Sequence, residues 1–143
     1  MKLFHINGRR EVNIVSSKYA INWGGKCRSK VQFRAKQFFK DFWSSDFCTE
    51  ELKIPGSLMT CDLINHSKSI ACETDGLFHE KFSEFHHKTK FGFLASLKRD
   101  EAKDQWYERN GIFVIRVTEK EVDSMTYEWI LKKFNIDILD NYS

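Results

Sequence analysis

The chain has 143 residues, 41% of them hydrophobic and 30% charged, with a net charge of +3, one Pro and seven Gly. That is enough chain for one domain with its own core, and it excludes collagen-like, Pro-rich and low-complexity classes. No apolar run approaches the roughly 18–20 residues that cross a bilayer, and MKLFHINGRR reaches charge too soon for the apolar region of a signal peptide, so a cytoplasmic protein without a membrane partner is expected.

The charge is uneven. Residues 1–50 hold ten Lys and Arg against four Asp and Glu, whereas residues 99–143 hold seven against ten. A basic front third fits an anionic partner such as nucleic acid, and it also fits an ordinary basic surface. Cys27, Cys48, Cys61 and Cys72 show no C-x2-4-C spacing, so four reduced thiols are expected rather than a zinc ribbon.

Two short β-like runs, 2–6 and 11–15, join through Asn7-Gly8, a strong hairpin signal. After a loop at Trp23–Lys26, Ser29-Lys30-Val31-Gln32 reads as a capping box with Ser29 as N-cap and Gln32 reaching back. The helix it opens buries Val31, Ala35, Phe38, Phe39 and Phe42, leaves Lys30, Arg34, Lys36 and Lys40 wet, and fades near Ser44-Ser45. Strands over 58–64 and 69–75 follow, joined by the turn 65–68. A helical pattern runs from about Phe85 to Asn110 and stops at Asn110-Gly111. Ile112–Val117 is a buried-type strand. Thr118–Glu121 is a second capping box, opening a last helix to about Phe134 with Val122, Met125 and Trp129 inward. The tail 135–143 should fray. The order predicts one mixed α/β domain over 1–143, with an N-terminal hairpin at about 2–15, a core at about 19–134, and a small central sheet flanked by helices.

The central hairpin carries the chemistry. With Ile64 facing Ser69, the pairing puts Asp62 opposite Ala71 and on one face with Glu73 and Asp75. A slip of one residue would undo this. Three converging carboxylates repel unless a cation neutralises them, and oxygen ligands suit Mg²⁺ or Mn²⁺. The same three residues also fit a solvated face paired with lysines. His79 follows Gly76 closely enough to fold back as a general base at neutral pH, or to be a surface histidine. His86 and His87 are weaker candidates for phosphate contact. A zinc site from the three histidines and a carboxylate is a further alternative.

The string Asp62…Glu73-x-Asp75-Gly76-x-x-His79, then Arg99-Asp100-x-x-Lys103-Asp104, then Asn110–Val117, resembles the very-short-patch-repair-like endonucleases of the PD-(D/E)xK, or restriction-endonuclease-like, superfamily. It is also similar to small phage-encoded homing-type nucleases. Tyr19-x-Ile21-x-Trp23 and Arg28–Gln32 add to the likeness, which spans about residues 19–122. The resemblance implies a restriction-endonuclease-like fold and a Mg²⁺-dependent DNA endonuclease, in the host cytoplasm if phage-encoded. It implies Asp62 and Glu73 as metal ligands, Asp75 where the superfamily often has Lys, and His79 as base or phosphate contact. It also implies that Arg99 and Lys103, sharing a helix face, meet phosphate. Arg28, Lys30 and Arg34 would hold the DNA backbone by counterion release. Gln32 stands where related nucleases often have Glu, and it could order a water. Gln32 and Asp75 leave open a DNA-binding or virion-associated protein without catalysis on the same fold. So small a chain has little room for extra DNA-reading surface, and a homing role would call for a homodimer or a targeting partner.

Overall fold

The computed structural model describes residues 1–75 and 90–143. Strands β1 (Lys2–Phe4) and β2 (Glu11–Asn13) pair antiparallel, with Leu3 opposite Val12, as the Asn-Gly signal predicts. Helix α1 (Lys30–Trp43) starts at Ser29, whose Oγ accepts the Gln32 N–H at 3.1 Å. Val31, Ala35, Phe39 and Trp43 are buried on one stripe, and the Phe39 and Trp43 rings stack with centroids 4.2 Å apart. Lys36, expected on the wet side, is buried instead: its ammonium reaches Glu50 at 2.7 Å and the Gly25 carbonyl at 3.0 Å.

Strand β3 (Cys48–Lys53) has no counterpart in the expectations. It is followed by β4 (Thr60–Asn65), β5 (Ile70–Asp75) and, after helix α2 (Lys90–Arg109), by β6 (Phe113–Thr118). The sheet order is β3-β4-β5-β6, with β3, β4 and β5 successively antiparallel and β6 parallel to β5. Ile64 pairs with Ala71, not Ser69, and Asn65 with Ile70, so the loop is 66–69. Ser69 takes a left-handed φ of 58° there. This two-residue correction preserves the parity of the hairpin and moves Glu73 to the place opposite Asp62.

α2 is described from Lys90 and ends as expected, with Gly111 at φ 71° beyond it. The first hairpin is tied to this end: Asn110 Oδ1 accepts the Phe4 N–H at 3.0 Å and the Trp106 indole donates to the Phe4 carbonyl at 2.6 Å. The Thr118–Glu121 capping box forms reciprocally, but it opens only α3 (Glu119–Val122). A separate helix, α4 (Tyr127–Phe134), starts at its own N-cap, Thr126. The tail does not fray throughout. Ile136 and Ile138 are buried, and the Ile138 carbonyl accepts the Trp43 indole N–H at 2.8 Å.

The sheet separates two apolar clusters. On the α1 side lie Val31, Ala35, Phe39, Trp43, Leu63, Cys72, Ile115 and Val117, closed by Ile130 and Ile138. On the α2 side lie Leu3, Leu52, Ile54, Cys61, Ile64, Ala71, Trp106 and Tyr107. Helices thus cover both faces of the mixed sheet, as the α/β reading expects. All four cysteines are free thiols. Among the described residues, no helix is long and apolar enough to cross a membrane.

Candidate active site

Strict alternation should keep Cys61 and Leu63 on one face. Instead Leu63 packs in the α1 cluster and Cys61 in the α2 cluster. Strand β3 does the same: Glu50 meets Lys36 of α1, while Leu52 packs with Trp106 and Tyr107 on the other side. The two strands change faces together, at Glu51 and Asp62. Glu51 has a φ of 52° and drops out of the ladder between Glu50–Leu63 and Leu52–Cys61. A left-handed non-glycine residue costs roughly 1 kcal/mol or more, and such residues collect at functional sites.

The register carried across β3, β4 and β5 sets Glu51, Asp62 and Glu73 in one transverse row. Here side chains replace the ladder. Glu73 Oε2 accepts the Asp62 backbone N–H at 2.9 Å, and Asp62 Oδ2 accepts the Thr74 N–H at 2.8 Å and its hydroxyl at 2.9 Å. Asp62 and Glu73 are therefore adjacent, as the spacing predicts, but they do not share one face. The Glu73 carboxylate is on the α2 side, with Lys103 Nζ at 2.6 Å from Oε1 and the Tyr107 hydroxyl at 2.7 Å from Oε2. Asp62 lines a cleft with Thr74, Glu119 and the start of α1.

The electrostatics follow from this crowding. Burial and then the Glu73 charge push the Asp62 carboxyl up to about 7, against the pull of its Thr74 hydrogen bonds. Lys103 is held above the ordinary lysine value: burial opposes its charge, but Glu73 and Asp62 outweigh that. Burial drives the Tyr107 hydroxyl far above its usual range, so it stays a donor.

Glu51 forms a second centre beside the cleft residues Arg28 and Gln32. It accepts from Gln32 Nε2 at 2.6 Å, from the Arg28 guanidinium, and from Thr60 Oγ1 at 3.2 Å. Burial would raise its carboxyl, but these donors together hold it below the ordinary glutamate value. Gln32 thus serves the Ser29 cap only through its backbone. Its side chain is committed to Glu51, not to completing the capping box.

The other expected residues divide as follows. Arg28 is bound to Glu51 and Thr60, Lys30 is exposed at the cleft, and Arg34 forms a two-oxygen contact with Asp123 at 2.8 Å. Lys103 is turned inward onto Glu73, so it does not form a phosphate-facing pair with Arg99, which is exposed on α2. Asp75 ends β5 opposite Thr118, and its side chain lies outside the described residues. His79, His86 and His87 also lie outside them. Glu51, Thr74 and Tyr107 are the participants that sequence reasoning missed. Tyr107 could have been found, because it is one helical turn beyond Lys103.

Among the described residues, no three or more His, Cys, Asp or Glu side chains are grouped to hold a metal ion. Asp62 and Glu73 are the adjacent carboxylates that could hold a hard cation. Asp62 binds through Oδ2 alone among the described residues, leaving Oδ1 as an acceptor, and Lys103 supplies the only cation within hydrogen-bond distance of Glu73 there. No family model matches the chain, and neither a curated protein nor a solved structure matches it.

Proposed function

We propose that the protein is a metal-dependent DNA endonuclease on a restriction-endonuclease-like fold. The observation that carries this reading is the Asp62–Glu73 pair, set where two strands leave the ladder, with Asp62 lining a cleft edged by Arg28 and Lys30 and Glu73 buried directly behind it. Asp62 and Glu73 would hold Mg²⁺ or Mn²⁺. When bound, such an ion lowers the pKa of water and neutralises charge developing at phosphorus. Lys103, arriving from α2, brings to Glu73 the positive charge that position 75 does not supply. Tyr107 fixes the same carboxylate from one turn further along. Gln32 and Arg28 line the cleft, and Glu51 behind them holds both side chains in place. Arg28 and Lys30 place the phosphate backbone against the acidic pair.

One observation favours the alternative of a DNA-binding protein without catalysis: both Glu73 oxygens already have protein partners. The two readings separate in a cleavage assay on supercoiled, linear and branched DNA with Mg²⁺, Mn²⁺ or EDTA. Metal-dependent cutting that is lost in Asp62→Asn and in Glu73→Gln supports the nuclease. Salt-sensitive binding without cutting selects the alternative. A homodimer, or a partner that supplies targeting, belongs to the same proposal.

A further inference from the structure

Next to the acidic cleft runs a second groove of about 590 Å³, edged by Lys26, Arg28, Lys30 and Arg34, with Gly24 at one end and Phe33 within it. It shares Arg28, Ser29 and Lys30 with the cleft of about 480 Å³ that reaches Asp62 and Thr74, so the two form one path. Lys26, Arg28 and Lys30 are exposed along it. The first turn of α1, which forms its floor, holds no acidic residue. Phe33 is the anomaly. It is 38% exposed, it belongs to neither apolar cluster, and it stands among cations. An isolated exposed Phe needs no explanation, but one inside a basic groove that leads to the Asp62 carboxylate has a physical partner: a flat, apolar face attached to phosphates.

We infer that this groove binds a single strand of DNA, with its phosphates on Lys26, Arg28 and Lys30 and one base stacked on Phe33, and that the strand runs into the acidic cleft. The inference rests on the nuclease reading and names its substrate class as DNA with an unpaired segment beside the cut. A base inside a duplex has both faces covered by its neighbours, so duplex DNA could use the cations but not the ring. Only an unstacked base can offer Phe33 its face. The Gly24 end is open, since a Cβ there would meet nothing within 4 Å, which leaves room for a strand to enter.

The test is fluorescence anisotropy on the full chain in EDTA, with labelled dT15 and a labelled 15-base-pair duplex. The expected result is tighter binding of dT15. Phe33→Ala should weaken dT15 binding about tenfold and leave duplex binding unchanged, and Phe33→Trp should restore it. Lys30→Ala should weaken both and flatten the salt dependence by about one phosphate contact. Phe33 is outside both cores, so the variants should melt with the parent. Three results overturn the inference: wild-type affinity for dT15 in Phe33→Ala, equal or tighter binding of the duplex, or no binding of dT15. Cleavage is scored separately. Cutting with Phe33-independent binding sinks only the groove. Phe33-dependent binding without metal-dependent cutting sinks only the catalytic reading.

Discussion

Lys36–Glu50 and Lys103–Glu73 are the same chemical pair on opposite faces of one sheet, with N–O distances of 2.7 and 2.6 Å. Around Glu50 the account closes. Oε1 takes Lys36, Oε2 takes the Asn22 N–H at 2.7 Å, and Lys36 gives a further hydrogen bond to a carbonyl. Around Glu73 it does not close: one lysine faces two carboxylates, and burial first, then the Glu73 charge, holds the Asp62 carboxyl up to about 7. Burial and short distances are common to both. What separates the two pairs is the count of charges within reach, and on that difference the proposed cation site depends.

The comparison can be broken in order of effect size. Asp62→Asn should cut metal-dependent cleavage by on the order of 10²–10³-fold, as loss of one transition-state stabiliser does, while Glu50→Gln should retain the activity of whatever fraction remains folded. Comparable losses in the two would show that they are not different kinds of pair. Lys36→Met leaves the half-buried Glu50 carboxylate without its cation and should cost about 2–3 kcal/mol, read as a melting temperature lower by roughly 10 °C that Mg²⁺ does not recover. Lys103→Met should lose stability that Mg²⁺ does recover, by a larger thermal shift than in the parent. Equal shifts in Lys103→Met and the parent would argue against the acidic pair as the cation site.

The smallest effect is on pH dependence. The folded Asp62 carboxyl titrates near 7, above its ordinary value of 3.8. The folded state therefore binds more protons than the unfolded state between those values, and stability falls as pH rises through that window. Chemical denaturation at pH 5 and pH 8 should show this slope in the parent and a flatter one in Asp62→Asn. An unchanged slope would mean that Asp62 is not the group that titrates.

The legible part of the fold lay in local signals. The Ser29 and Thr118 caps, the Asn-Gly hairpin and the Asn110-Gly111 stop each depend on residues within a few positions of one another, and each is present. The Asp62–Glu73 adjacency was legible too, because a two-residue register error leaves parity intact. Strand β3 was not, since Glu50 and Glu51 break the apolar alternation and Glu51 leaves the β region altogether. The change of face at Asp62 follows from that same residue, one strand away, and no period within 58–64 encodes it. Helical spacing puts Lys103 outward beside Arg99, whereas it turns inward onto Glu73. Its partner is thirty residues earlier, and helical spacing gives neighbours on the helix, not across the sheet. The tail was misjudged because two isoleucines among acidic residues make little periodic pattern, yet both find the core.

The placing of Asp62, Glu73 and Lys103 on separate elements also bears on the order in which the chain assembles. Asp62 and Glu73 are eleven residues apart and meet when the β4–β5 hairpin closes, whereas Lys103 arrives only when α2 docks and brings β6 alongside β5. For that interval the hairpin would hold two carboxylates side by side without their counter-charge. Nucleation through this hairpin is thus opposed by its own site, and removing one of the two charges in Asp62→Asn should speed refolding at pH 8. Stopped-flow refolding of the parent and Asp62→Asn at pH 8 reads this directly, and equal refolding rates would place the barrier elsewhere.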